Sequence, residues 1–187
     1  MQFTPAKSSA AFDQPRPVII SEFGPPALAC IRSWGRCGFP VGMICVRSTA
    51  ATLPNSRFLT SYCTLRPGDL FTEKGIHIIV DYLQGFGATA IIAINEKISC
   101  WLNDMRNKIP PAVQICAPSN DITLSLLSKT NQLNAAKKVG FDALPTYQID
   151  KIPGSAERIH PAHFPVCLRP DRPDTVFPGF KVRIVES

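Results

Sequence analysis

Pro17 to Val46 reads PVIISEFGPPALACIRSWGRCGFPVGMICV, and its pattern changes period twice. The β-branched run Pro17 to Ser21 predicts a short strand, ended by Gly24, Pro25 and Pro26. Ala27, Cys30, Ile31 and Trp34 then fall at i, i+3, i+4 and i+7, one face of a helix. Pro26 suits the first turn of that helix and Gly38 its stop. Pro40 to Val46 is apolar at nearly every position, as a strand covered on both faces must be. Strand, helix and strand within so short a span make a right-handed crossover unit.

The same alternation continues downstream. Leu59 to Leu65 predicts a third strand, followed by Pro67, Gly68 and a helix with Ile76, Ile79, Val80 and Leu83 as its buried stripe. Thr89 to Ile94 (TAIIAI) is the next strand. Ile98, Trp101, Leu102 and Met105 repeat the helical spacing until Pro110 and Pro111, and Val113 to Ala117 (VQICA) returns as a buried strand. Strands alternating with helices at this pitch predict an α/β fold, a doubly wound parallel sheet.

After Pro118 the pattern changes. Ser119, Asn120 and Asp121 can cap a helix through Leu124 and Leu127, and a second amphipathic stretch carries Leu133, Ala136 and Val139 to a stop at Gly140. Prolines 145, 153, 161 and 165 then cut the chain into short pieces. Phe164 to Arg169 and Phe180 to Val185 predict a half-exposed antiparallel hairpin, with Val182 and Ile184 on the side opposite Lys181 and Arg183. The expected organisation is a disordered leader over 1–16, a parallel α/β domain over 17–118, a helical linker over 119–143 and a short hairpin segment over 144–187.

Composition narrows the function classes. No apolar run approaches the roughly 20 residues of a membrane-spanning helix, and the N-terminal residues lack a signal-peptide core. The net charge of +6 is scattered. Its densest places, Arg32/Arg36 and Lys137/Lys138, fall on helix exteriors without interleaved aromatics, which argues against nucleic acid. Seven cysteines with no CxxC pair, mostly in apolar segments, predict reduced core residues and a cytoplasmic setting. His77 and Asp81 are expected to form a solvated pair on a helix; His160 and His163 flank Pro161 in a loop. No His, Cys and carboxylate cluster has metal spacing. A serine-nucleophile elbow and a P-loop are both absent. The first turn, Ser21 to Pro26, joins a strand to a helix N-terminus, where free backbone N–H groups favour an anion. It is no dinucleotide fingerprint, which disfavours NAD, FAD and nucleotide-sugar enzymes of the Rossmann type.

Taken in order, Gly24 to Val41, Ala88 to Arg106, Val113 to Leu133, Lys137 to Ile149 (KKVGFDALPTYQI), Phe164 to Pro170 (FPVCLRP) and Phe180 to Ser187 (FKVRIVES) resemble the ATP-grasp superfamily, in particular its carboxylate-amine ligases. The resemblance implies a pre-ATP-grasp, Rossmann-like domain followed by the start of the ATP-grasp module. It also implies ATP and Mg2+ as cofactors, an acyl-phosphate mechanism, and a small carboxylate or amine as substrate. Lys129 and Arg169 match the cations that contact nucleotide phosphates, with Arg169 departing from the usual lysine. Glu22, Phe23, Gly24, Asn120 and Asp121 are the substrate-binding candidates, because ligands of open α/β sheets bind at the carboxyl ends of the strands. The loop Asp171 to Gly179 (DRPDTVFPG) carries two prolines where the family has a glycine-rich phosphate loop. The family's adenine hinge and magnesium ligands lie beyond Ser187, so no catalytic residue or metal ligand is assigned and no catalysis is expected of these residues alone. A homodimer through the front domain is also implied. The alternative is a non-catalytic module, derived from such a ligase, that binds a small molecule or a protein.

Overall fold

The structure is a computed structural model and describes residues 14–22, 24–47, 55–149, 160, 163–172 and 182–186. The chain divides into two compact units, Met1–Asn120 and Asp121–Ser187.

The first unit is a five-stranded parallel sheet. In chain order it contains β1 (Pro17–Ser21), α1 (Pro25–Arg36), β2 (Val41–Val46), β3 (Leu59–Leu65), α2 (Glu73–Phe86), β4 (Ala90–Ala93), α3 (Glu96–Asp104) and β5 (Gln114–Ile115). The spatial order is β3-β2-β1-β4-β5, so the chain winds outward from β1 in one direction and then in the other. Ile19 of β1 registers with Met43 of β2 and with Ile92 of β4. Side chains alternate across the pleat. On one face Ile19, Val41, Met43 and Cys45 pack with Ala27 and Ile31 of α1. On the other, Val18, Ile20, Ile44, Val46 and Ile91 pack with Ile76, Ile79 and Leu83 of α2 and with Ile98, Trp101 and Leu102 of α3. Helices on both faces explain why β1 and β2 are buried throughout.

The expected doubly wound sheet is therefore present. Several local expectations are corrected. Val113 to Ala117 yields only the two-residue β5, with Gln114 and Cys116 exposed, because an edge strand is covered on one side only. The helix before it ends at Asp104 and passes into a 3-10 turn at Arg106–Lys108, ahead of the two prolines. Of the seven cysteines, only Cys45 and Cys63 are buried, while Cys37, Cys116 and Cys167 are exposed. Among the described residues the ion pairs of α2 are Lys74 with Asp69 and Lys108 with Glu73, not His77 with Asp81. Arg16, assigned to the leader, is tied to Thr89 at the mouth of β4, donating its N–H to Thr89 Oγ1 at 2.8 Å. Residues 1–13 of that leader lie outside the described residues.

The second unit holds α4 (Asn120–Leu127, which starts one residue before it), α5 (Lys129–Lys138) and an antiparallel hairpin of β6 (Val166–Leu168) and β7 (Arg183–Val185). Gly140, at φ +84°, ends the helical stretch as its αL stop. The apolar stripes expected in this region are not buried. Leu124, Val139 and Ile184 are exposed, and only Thr123 and Ser128 are buried among the described residues.

Candidate functional site

The winding order places a crevice between the carboxyl ends of β1 and β4, where consecutive connections leave in opposite directions. There Ile20 pairs with Ala93, and the Ile94 N–H donates to Ile20 O at 3.2 Å. Glu22 is exposed beside this crevice and Gly24 half-buried. Gly24 precedes α1 as its N-cap, its carbonyl accepting the Leu28 N–H at 3.1 Å. Phe23, the third candidate of this turn, lies outside the described residues.

The placement of the prolines limits the backbone donors that this turn can offer an anion. Pro25 and Pro26 are the first two residues of α1, and proline has no N–H to offer. At the neighbouring helix α3, the Asn95 side chain accepts from the N–H groups of Lys97 (2.8 Å) and Ile98 (3.3 Å). At α2, Thr72 Oγ1 accepts the Gly75 N–H at 3.2 Å. Some of the donors that make a helix N-terminus attractive to phosphate are thus missing at α1 and engaged by side-chain caps at α2 and α3.

Asn120 sits against α3 and not at the first turn. Its amide donates to Asp104 Oδ1 at 2.6 Å and Cys100 O at 3.3 Å, and its Oδ1 accepts from Asn103 at 3.0 Å. Asp121 is exposed at the start of α4.

In the second unit, Asp171 links the main chain at Lys129 to the segment that follows β6. The Lys129 N–H donates to Asp171 O at 2.9 Å, and Arg169 is two positions before Asp171 at the end of β6. The Asp171 carboxylate accepts the Thr130 N–H at 2.7 Å and the Ser128 hydroxyl at 3.2 and 3.0 Å. These bonds, the Thr130 amide foremost, hold the Asp171 carboxyl below the usual carboxylate range. Sequence reading missed Asp171 and Ser128. Ser128 had the type and position of an N-cap, but nothing local ties it to a residue so far along the chain. Of the loop Asp171 to Gly179, only Asp171 and Arg172 are described. Nearby in sequence, Tyr147 stacks on His163, its hydroxyl 2.5 Å from Nδ1.

Among the described residues no group of three His, Cys, Asp or Glu could hold a metal ion, and no helix is long and apolar enough to cross a membrane.

No protein-family model and no curated protein matches the sequence. Solved structures do match. The biotin carboxylase domain dimer of Hydrogenobacter thermophilus 2-oxoglutarate carboxylase, in complex with MgADP, ADP and bicarbonate, superposes with a TM-score of 0.59 at 19% identity, over 91% of this chain and 37% of that one. Rhizobium etli pyruvate carboxylase gives 0.54 at 16% identity, over 93% of this chain and 16% of that one. A single-chain, multi-domain long-chain acyl-CoA carboxylase gives 0.52 at 16% identity, over 75% and 14%. The chain thus spans well under half the length of each of these structures. Biotin carboxylase domains are ATP-grasp carboxylate-amine ligases. The fold found here is one that occurs in that superfamily.

Proposed function

We propose that these residues form the front portion of an ATP-dependent carboxylate-amine ligase working through an acyl phosphate. The observation that carries the reading is the Lys129 N–H···O Asp171 bond of 2.9 Å. It holds the main chain at Lys129 against the residue two positions beyond Arg169, these being the two cations expected to contact nucleotide phosphates. Lys129 would hold phosphate as a point charge and Arg169 as a planar fork. Mg2+, when bound, supplies neutralisation of the transferring phosphoryl group. No residue of this chain is assigned to it, and the chain is proposed to bind nucleotide without turning it over alone. The side-chain caps of α2 and α3, with the prolines that open α1, support a non-nucleotide role for the first unit. Glu22, Phe23 and Gly24, with Asn120 and Asp121, remain its candidates for a small carboxylate or amine. A cytoplasmic location, a homodimer and no affinity for nucleic acid belong to the same reading.

Calorimetric titration with Mg·ATP tests it. A hydrogen bond to a charged group contributes about 1.5–3 kcal/mol, so Lys129→Glu and Arg169→Glu should each weaken binding by at least about tenfold. Equal affinity in wild type and both variants would sink the reading. One observation favours a second reading, a protein-binding module: Val139, Phe141, Leu144, Val182 and Ile184 are all exposed in the second unit. That module would be indifferent to both charge reversals.

A further inference from the structure

We infer that Asp171 is a positioning residue, docking the segment that carries Lys129 onto the segment that carries Arg169 so that both cations address one phosphate chain. The inference rests on the nucleotide reading above and concerns how that site is built.

Helix α5 already has its own cap, since Ser128 Oγ accepts the Asn131 N–H at 3.1 Å. Asp171 adds what a local cap does not need. Its backbone carbonyl takes the Lys129 N–H and its carboxylate takes the Thr130 N–H, while the Ser128 hydroxyl donates to the same carboxylate. Two of the first three amides of α5 are therefore satisfied by a segment about 40 residues away in sequence. A contact through both main chain and side chain fixes orientation as well as distance. Lys129 is half-buried and Arg169 exposed. Their long side chains lose less freedom on meeting a common ligand when their backbones are already held in register. The carboxylate itself is a poor neighbour for phosphate. A purely electrostatic account therefore predicts that removing it would strengthen anion binding, whereas docking predicts the opposite.

The opposite signs make the test. The full chain is titrated with inorganic triphosphate as wild type, Asp171→Ala and Asp171→Asn, with Trp34 and Trp101 fluorescence reporting the folding of the parallel-sheet unit. Asparagine keeps an acceptor for the Thr130 N–H and discards the charge. Docking predicts that D171A weakens triphosphate binding about tenfold or more while D171N stays within about threefold of wild type. Tighter or unchanged binding by D171A overturns the inference and leaves the nucleotide reading standing. Should wild type bind no triphosphate, the nucleotide reading falls by itself. Amide exchange then decides the docking: faster exchange at Lys129 and Thr130 in D171A supports it, and unchanged exchange at both overturns it.

Discussion

Tyr82 shows how much one residue organises and how little of that its sequence context discloses. It is buried, and its phenolic oxygen accepts the Met43 N–H at 3.1 Å. The acceptor is needed because the pairing of β2 with β3 shifts register between Val41 and Gly42. Gly42 leaves the room: a Cβ there would stand 2.9 Å from the Tyr82 hydroxyl and 3.0 Å from both Phe86 and Val18. Tyr82→Phe should cost about 1–3 kcal/mol by stranding the Met43 amide, and Gly42→Ala about 1–3 kcal/mol by overpacking, both read by urea denaturation. Burial raises the Tyr82 phenol from 10.0 to about 12 and, with a smaller contribution from Cys45, the Cys63 thiol from 9.0 to about 12. An acid whose folded value is raised adds stability that is complete below its unfolded value and disappears as pH climbs through the folded one. Melting temperature should therefore fall between about pH 9 and 12, and fall less in Tyr82→Phe. The helical period exposed Ile76, Ile79 and Leu83 as core. Tyr82 was not legible because its role depends on a bulge in another element.

For the elements, period and punctuation were enough to place β1, α1, β2, β3, α2, β4 and α3 in a parallel α/β sheet, because each carries its own signal of burial on one or two faces. Strand β5 was read too long and too buried. VQICA has the composition of a central strand, but strand length is set by the partner, and β4 offers pairing only at Ala90 and Ile91. The position of the first turn favours anions, but Pro25 and Pro26 withhold two of the donors that position would supply. At α3 the Asn95 cap is worth about 0.5–2 kcal/mol. Asn95→Ala should lower the denaturation midpoint accordingly, with the m-value unchanged. Asn95→Asp should retain the midpoint, since a carboxylate accepts the same two amides beside the positive end of the helix.

Across the whole molecule, apolar burial is unequal. Among the described residues every buried hydrophobic side chain belongs to Met1–Asn120, and every exposed large hydrophobic but Phe71 belongs to Asp121–Ser187. The periodicity of α4 and α5 correctly signals faces that prefer cover, yet a single sequence does not say what covers them. That is why Leu124 and Val139 were misplaced and why the cations of the second unit were legible only through a family resemblance. Local stability follows apolar burial. Hydrogen exchange should be slowest in β1, β2 and β4 and faster by orders of magnitude in α5 and the hairpin, whereas comparable protection in the two units would contradict this division.

The central place of β1 also bears on how the protein is made. Among the described strands it leaves the ribosome first, yet its two flanks are β2 and β4, and β4 is not synthesised until about 4 to 15 s later at ordinary rates of translation. Throughout that interval Val18, Ile19 and Ile20 have a partner strand on one side at most. The nascent chain is thus committed to carrying an open, adhesive strand edge, and its yield in the cell should depend on whatever shields that edge until residue 93 has emerged.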